Sequence, residues 1–115
     1  MNGKNILILK KIIHYADQIT LTIENLTLDF EKLEADFIAK NALSMCILQI
    51  GELAGRLTED FKIKYPEMPW QNIKAMRNIA AHNYGEFDDL VLWETVTNDI
   101  PELKAYCEKI IKLQS

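Results

Sequence analysis

The sequence predicts an all-α protein, an up-and-down bundle of four to five helices forming a single domain over residues 1–115. Three observations lead there. Apolar side chains recur every three or four positions through most of the chain, the period of a helix with one buried face. The alternating Val, Ile and Thr of half-buried strands is missing. Only four glycines and three prolines punctuate 115 residues, so there are few places for the chain to turn. A composition of 49% hydrophobic and 26% charged residues suits one buried core, and no repeat or biased segment interrupts it.

The first amphipathic helix is expected over residues 4 to about 26, "KNILILKKIIHYADQITLTIENL". "TLDFEKLEAD" then reads as a turn with a short helix, with Asp29 as its N-cap. The second long helix is expected from about Asp36 to Phe61. Along it Leu43, Cys46, Ile47, Ile50, Leu53, Ala54, Leu57 and Phe61 form a continuous stripe. Ile38, Ala42, Met45 and Leu48 make a second stripe beside it, which needs a cover of its own: the core, another helix or another protomer.

"KYPEMPW" breaks the periodicity with two prolines. A third helix is expected over roughly Trp70 to Ala81, ending near His82, Asn83 and Gly85. "DDLVLWETVTNDIPELKAYCEKIIKLQ" supplies one bent or two consecutive closing helices, and Pro101 sits where it can start a helix. Cys46 and Cys107 lack metal spacing and are expected to be reduced structural thiols. His14, among apolar neighbours, reads as structural or exposed. The early apolar run "ILIL" is too short for a signal peptide or a membrane span, so a cytoplasmic protein without a membrane partner is expected.

The net charge of −4 argues against indiscriminate nucleic-acid binding. Its distribution is uneven. From Arg56 to His82 there are five bases (Arg56, Lys62, Lys64, Lys74, Arg77) against three acids (Glu59, Asp60, Glu67), so this segment carries +2 and the remainder −6. A basic face on an acidic body is compatible with that count.

Within that segment, "MRNIAAHNY" (residues 76–84) gathers Arg77, His82 and Tyr84. Cleaving RNA without a metal requires that the ribose 2′-hydroxyl lose a proton, the leaving 5′-oxygen gain one, and the phosphorane charge be stabilised. Histidine can exchange protons near neutral pH, and arginine offers a planar fork of donors to phosphate oxygens. On a continuous helix, however, residues five apart lie about 140° apart around the axis. Arg77 and His82 therefore converge poorly unless the helix ends before His82 or two protomers share the site. One histidine supplies one proton-transfer group; a twofold dimer would bring two histidines and two arginines to one cleft. The competing reading is an ordinary helix end, with His82 against the helix dipole and Tyr84 a packed aromatic.

Arg77-Asn78-x-x-x-His82-x-Tyr84 resembles the R-x4-H-x-Y signature of the HepT toxins, a branch of the HEPN superfamily of small helical domains. "QIGELAGRL", "PWQNIKAMRN" and "VLWETVTNDIPEL" resemble that family's segments in the same order, over roughly residues 36 to 111. The resemblance implies a HEPN-like homodimer and a metal-independent ribonuclease toxin, of a type II/VII-like toxin–antitoxin pair, acting on RNA (tRNA or mRNA). Arg77 and His82 would be catalytic, with Asn78, Glu52 and Lys74 as candidates for supporting roles. An MntA-like nucleotidyltransferase antitoxin would transfer AMP to Tyr84, consuming ATP with magnesium; no cofactor of the toxin itself is implied. Gly85 and Glu86 stand where the family commonly has an aromatic after the tyrosine, which alters the loop beyond the site. Glu52 matches the family's "IGE" glutamate, and it would orient a site residue, pair with a base across the dimer, or simply be solvated. Two alternatives stay open: a non-catalytic module that binds or regulates a nucleotidyltransferase, and a nucleotide-binding helical domain, the latter without a glycine-rich phosphate cradle.

Overall fold

Asn5, Ile8, Leu9, Ile12, Ala16 and Ile19 recur at helical spacing, and all six are buried on one face of α1 (Gly3–Asn25). The structure, a computed structural model, describes residues 3–70, 73, 77 and 88–114. Among these every regular element is helical, and the fold is an all-α bundle. α1 ends in Thr27 at φ 50°, with the Leu28 amide donating to the Ile23 carbonyl at 2.9 Å and the Thr27 amide to that of Glu24 at 3.1 Å. These are the two bonds of a left-handed helix stop, here made by a β-branched residue where glycine is usual.

α2 (Phe30–Ala35) starts at Asp29, whose carboxylate accepts from the Lys32 amide at 2.8 Å, as its sequence position predicts. α3 (Phe37–Gly55) is capped in the same way by Asp36, which accepts from Ala39. By length and composition α3 is apolar enough to cross a bilayer. Its apolarity is that of a central helix: Ala39, Leu43, Ile47, Ile50 and Ala54 are buried within the bundle, where α3 packs on α1.

The expected helix from Asp36 to Phe61 is in fact two. α3 stops at Gly55, and α4 (Glu59–Lys64) begins after Thr58, whose hydroxyl accepts from the Phe61 amide at 3.3 Å. Thr58 wins because two acids follow it in the first turn, and because the buried Asn5 locks it in place. The Asn5 amide donates to the Thr58 hydroxyl at 3.0 Å, and the Thr58 amide donates back to the Asn5 side-chain oxygen at 3.3 Å. Leu57 and Phe61 still reach the core, so the apolar stripe survives the corner.

Of the two arrangements the sequence allowed, one bent helix or two consecutive ones, the closing segment takes the bent form. α5 (Asp89–Glu94) runs through a π-helical turn (Thr95–Asp99) into α6 (Ile100–Gln114). Pro101 has no amide hydrogen and its ring crowds the carbonyl four residues back, so the wider turn before it relieves the clash. The Thr97 hydroxyl donates to the Trp93 carbonyl at 2.7 Å across the bend. Ile100, Leu103, Cys107 and Ile110 then face the core opposite α1. Both cysteines are free thiols. Ile38 and Met45 of the second α3 stripe are exposed, while Leu48 packs at the core edge.

Candidate functional site

Glycine in the middle of an apolar helix costs stability unless something needs its missing side chain. Gly51 of α3 has such a neighbour. A Cβ built on it would fall on the Cβ of Arg77 and lie 3.2 Å from the Arg77 Cα. The helical backbone at Arg77 therefore crosses α3 directly over Gly51. From that crossing the Arg77 side chain turns to Glu52, and its Nε–H donates to the Glu52 Oε1 at 2.9 Å. Both side chains are about 40% exposed (37% and 41%), so the pair sits at the protein surface rather than in the core. The bond uses one of the five N–H donors of the guanidinium and restrains the side chain toward Glu52.

Beside the pair lies a groove of about 330 Å³, whose described lining includes Gly51, Gly55, Lys62, Trp70 and Arg77. The two glycines leave the α3 backbone bare as its floor. The turn that carries Trp70 is anchored at several points. The Trp70 indole N–H donates to the Tyr65 carbonyl at 3.0 Å, and the ring meets Phe61 edge-on at 5.8 Å. The Gln114 amide donates to the Tyr65 hydroxyl at 3.0 Å, and the Tyr106 hydroxyl donates to Glu67. Two cations, each also paired with a carboxylate, and an aromatic ring thus border one groove.

Of the residues singled out in the sequence, Glu52 and Arg77 are brought together across 25 positions. His82, Tyr84, Asn78 and Lys74 lie outside the described residues, as does most of the expected 70–81 helix. Trp70, Ile73 and Arg77, at helical spacing, are described and helical, and the Ile73 amide donates to the Pro69 carbonyl at 3.0 Å. The roles of Gly51, Lys62 and Trp70 were missed. Only Gly51 carried a signal, as a glycine inside an apolar helix that implies close backbone approach. His14 is exposed, its ring Nε2 2.9 Å from the Gln18 side-chain nitrogen.

The described site is thus an arginine held by a carboxylate at the edge of a groove in a helical bundle. The family model described as ribonuclease HepT-like matches residues 12–110. "Putative RNase MJ1216" of Methanocaldococcus jannaschii is 35% identical over 101 residues, spanning 88% of this chain and 82% of its own. "Probable ribonuclease HepT" of Thermococcus cleftensis is 38% identical over 81 residues, spanning 67% and 74%. "Gamma-glutamylcyclotransferase and putative RNase MJ0434" of M. jannaschii is 36% identical over 104 residues, spanning 87% of this chain but 44% of its own. No solved structure matches. The chain belongs to the HepT-like ribonuclease family of the HEPN superfamily.

Proposed function

We propose that this protein is a ribonuclease toxin that cuts RNA by metal-independent acid–base chemistry in a cleft shared by two protomers. The observation that carries the reading is the Glu52–Arg77 pair beside its groove, in a chain of the HepT-like ribonuclease family. In the proposed reaction one His82 takes the proton of the ribose 2′-hydroxyl, and the 2′-oxygen attacks phosphorus. The bond from phosphorus to the 5′-oxygen breaks, and the His82 of the second protomer protonates that leaving oxygen. The products are a 2′,3′-cyclic phosphate and a 5′-hydroxyl. Arg77 neutralises the charge that gathers on the non-bridging oxygens. Glu52 holds the guanidinium plane for that task, and Asn78 and Lys74, close to Arg77 in sequence, assist at the phosphate.

The off-switch belongs to the same segment. An MntA-like nucleotidyltransferase, using ATP and magnesium, attaches AMP to Tyr84 with release of pyrophosphate. Each AMP adds bulk and a negative phosphodiester where the substrate phosphate must sit, so it occludes and repels RNA together. The exposed α3 stripe, Ile38 and Met45 in particular, is the surface that the second protomer would cover.

The test is cleavage of tRNA and mRNA by purified unmodified protein. His82→Ala and Arg77→Ala should abolish cutting and growth inhibition with the helical content unchanged. Intact-protein mass, with and without co-expression of an MntA-like nucleotidyltransferase, should shift by one AMP per chain, and Tyr84→Phe should remove the shift. Intact RNA together with a His82→Ala variant as toxic as the parent overturns the catalytic reading. It would favour the non-catalytic module that only binds the transferase.

A further inference from the structure

A second cationic groove lies on the opposite side of the Glu52 ridge. It is a cavity of about 430 Å³ between α1 and α3, with Lys10, Lys11, His14 and Tyr15 along one wall and Gln49 and Arg56 on the other. No acid lines it among the described residues. Elsewhere Lys40, Lys62, Arg77 and Lys104 each pair with a carboxylate within 4.0 Å. Lys10, Lys11 and Arg56 have no such partner among the described residues; Lys32, Lys64 and Lys109 share that lack, but only these three line this groove. Arg56 stands four residues after Glu52, the spacing of a helical ion pair, yet Glu52 is turned to Arg77 instead. Three uncompensated cations on two helices thus face one channel of an acidic protein.

We infer that this groove is a binding track for the phosphodiester backbone of single-stranded RNA, leading the strand to Arg77. The inference rests on the ribonuclease reading for the identity of the polymer and on the groove itself for the site. Cations on both walls match a chain whose charges lie along its length. The rings of His14 and Tyr15, 5.5 Å apart and edge-to-face, offer flat surfaces to bases, and the Gln49 amide offers polar contacts. Continuity with the site is set by α3. Gln49, Glu52 and Arg56 are three and four residues apart, so they share one ridge of the helix. A strand held at Gln49 and Arg56 therefore passes the Glu52–Arg77 pair. Gln49 and Arg56 are about 10 Å apart along the axis, enough for the track to extend binding beyond the scissile phosphate.

The test is the affinity of the full-length protein for a fluorescein-labelled oligoribonucleotide carrying 2′-O-methyl groups throughout, which cannot be cleaved through a 2′-hydroxyl. Anisotropy is followed across a salt series. Lys10→Gln/Arg56→Gln should weaken binding at least fivefold and reduce the slope of log affinity against log salt by about 1.4, two contacts at about 0.7 each. Lys109→Gln/Lys112→Gln, the same change in net charge on α6, should stay within twofold of the parent. Equal behaviour of the two double variants overturns the track, as does a Lys10→Gln/Arg56→Gln protein that binds RNA normally but no longer binds the nucleotidyltransferase. Because the probe cannot be cut, the two readings fail separately. A parent that binds the probe through these residues but cleaves nothing overturns only the catalytic reading. Cleavage with an indifferent Lys10→Gln/Arg56→Gln variant overturns only the track.

Discussion

The Arg77 Nε–H donates to the Glu52 carboxylate at 2.9 Å, across a backbone crossing that only the absence of a side chain at Gly51 permits. The pair is half exposed, so water screens it and its contribution to stability is small, below about 1 kcal/mol. Its value lies in direction. A lone surface arginine samples many rotamers, whereas this one is restrained by Glu52 at the edge of the groove.

Glu52→Gln should therefore separate function from fold. The amide keeps a hydrogen-bond acceptor for Arg77 but loses the charge that orients it. RNA cleavage should fall roughly 10- to 100-fold, the scale of a misplaced catalytic group. The urea midpoint should barely move. A stability loss equal to the activity loss would show that the carboxylate serves the fold.

The two glycines at the end of α3 should respond in opposite directions. Gly51→Ala drives a methyl group into Arg77 and should cost about 1–3 kcal/mol, with loss of cleavage as the arginine is displaced. Nothing lies within 4 Å of a Cβ at Gly55, and alanine there should add about 0.5–1 kcal/mol through backbone entropy. Chemical denaturation of both variants checks the contrast.

Thr27 holds φ 50° at the end of α1, a conformation that disfavours a branched side chain by about 1–2 kcal/mol. Thr27→Gly removes that strain while adding freedom to the unfolded chain. A net gain of up to about 1 kcal/mol is expected, read as a higher melting temperature.

Burial, with a smaller effect from the Glu108 charge, pushes the Cys107 thiol from an ordinary 9.0 up to about 12. The unfolded chain releases this proton near pH 9 and the folded chain holds it until about pH 12. Unfolding is thus favoured as pH rises through that window, and the contribution is complete below pH 9. Stability measured between pH 9 and 10 should fall less steeply in Cys107→Ala than in the parent. In the native protein a thiol reagent should modify Cys46 well before Cys107, which reacts only on unfolding.

Met45 is 45% exposed on α3, and Ile38, two turns earlier on the same stripe, is 68% exposed. If this face covers a second protomer, Met45→Lys should give a monomer by sedimentation, with cleavage lost because the two His82 side chains no longer meet. Its monomer stability should stay within about 0.5 kcal/mol of the parent, as for other surface changes. A Met45→Lys protein that still sediments as a dimer removes the stripe from the interface.

Periodicity, caps and turn chemistry are short-range properties, and the sequence by itself settled what depends on them. The all-α class, α1 with its buried face and the Asp29 cap are all legible within a few residues of chain. The order of family segments carried the kinship in the same local way. The corner at Thr58 was not legible, because the apolar stripe runs unbroken from Leu43 to Phe61 and the decisive contact comes from Asn5, 53 residues away. Nor does any spacing rule place Glu52 against Arg77, or Lys10 and Lys11 opposite Arg56. Which helix faces meet is decided by packing a whole core, and charges reach their neighbours only after that choice is made. Tertiary structure therefore determined the site: it supplied the carboxylate that aims Arg77, the glycine that lets it approach, and the two cationic grooves on either side of the ridge.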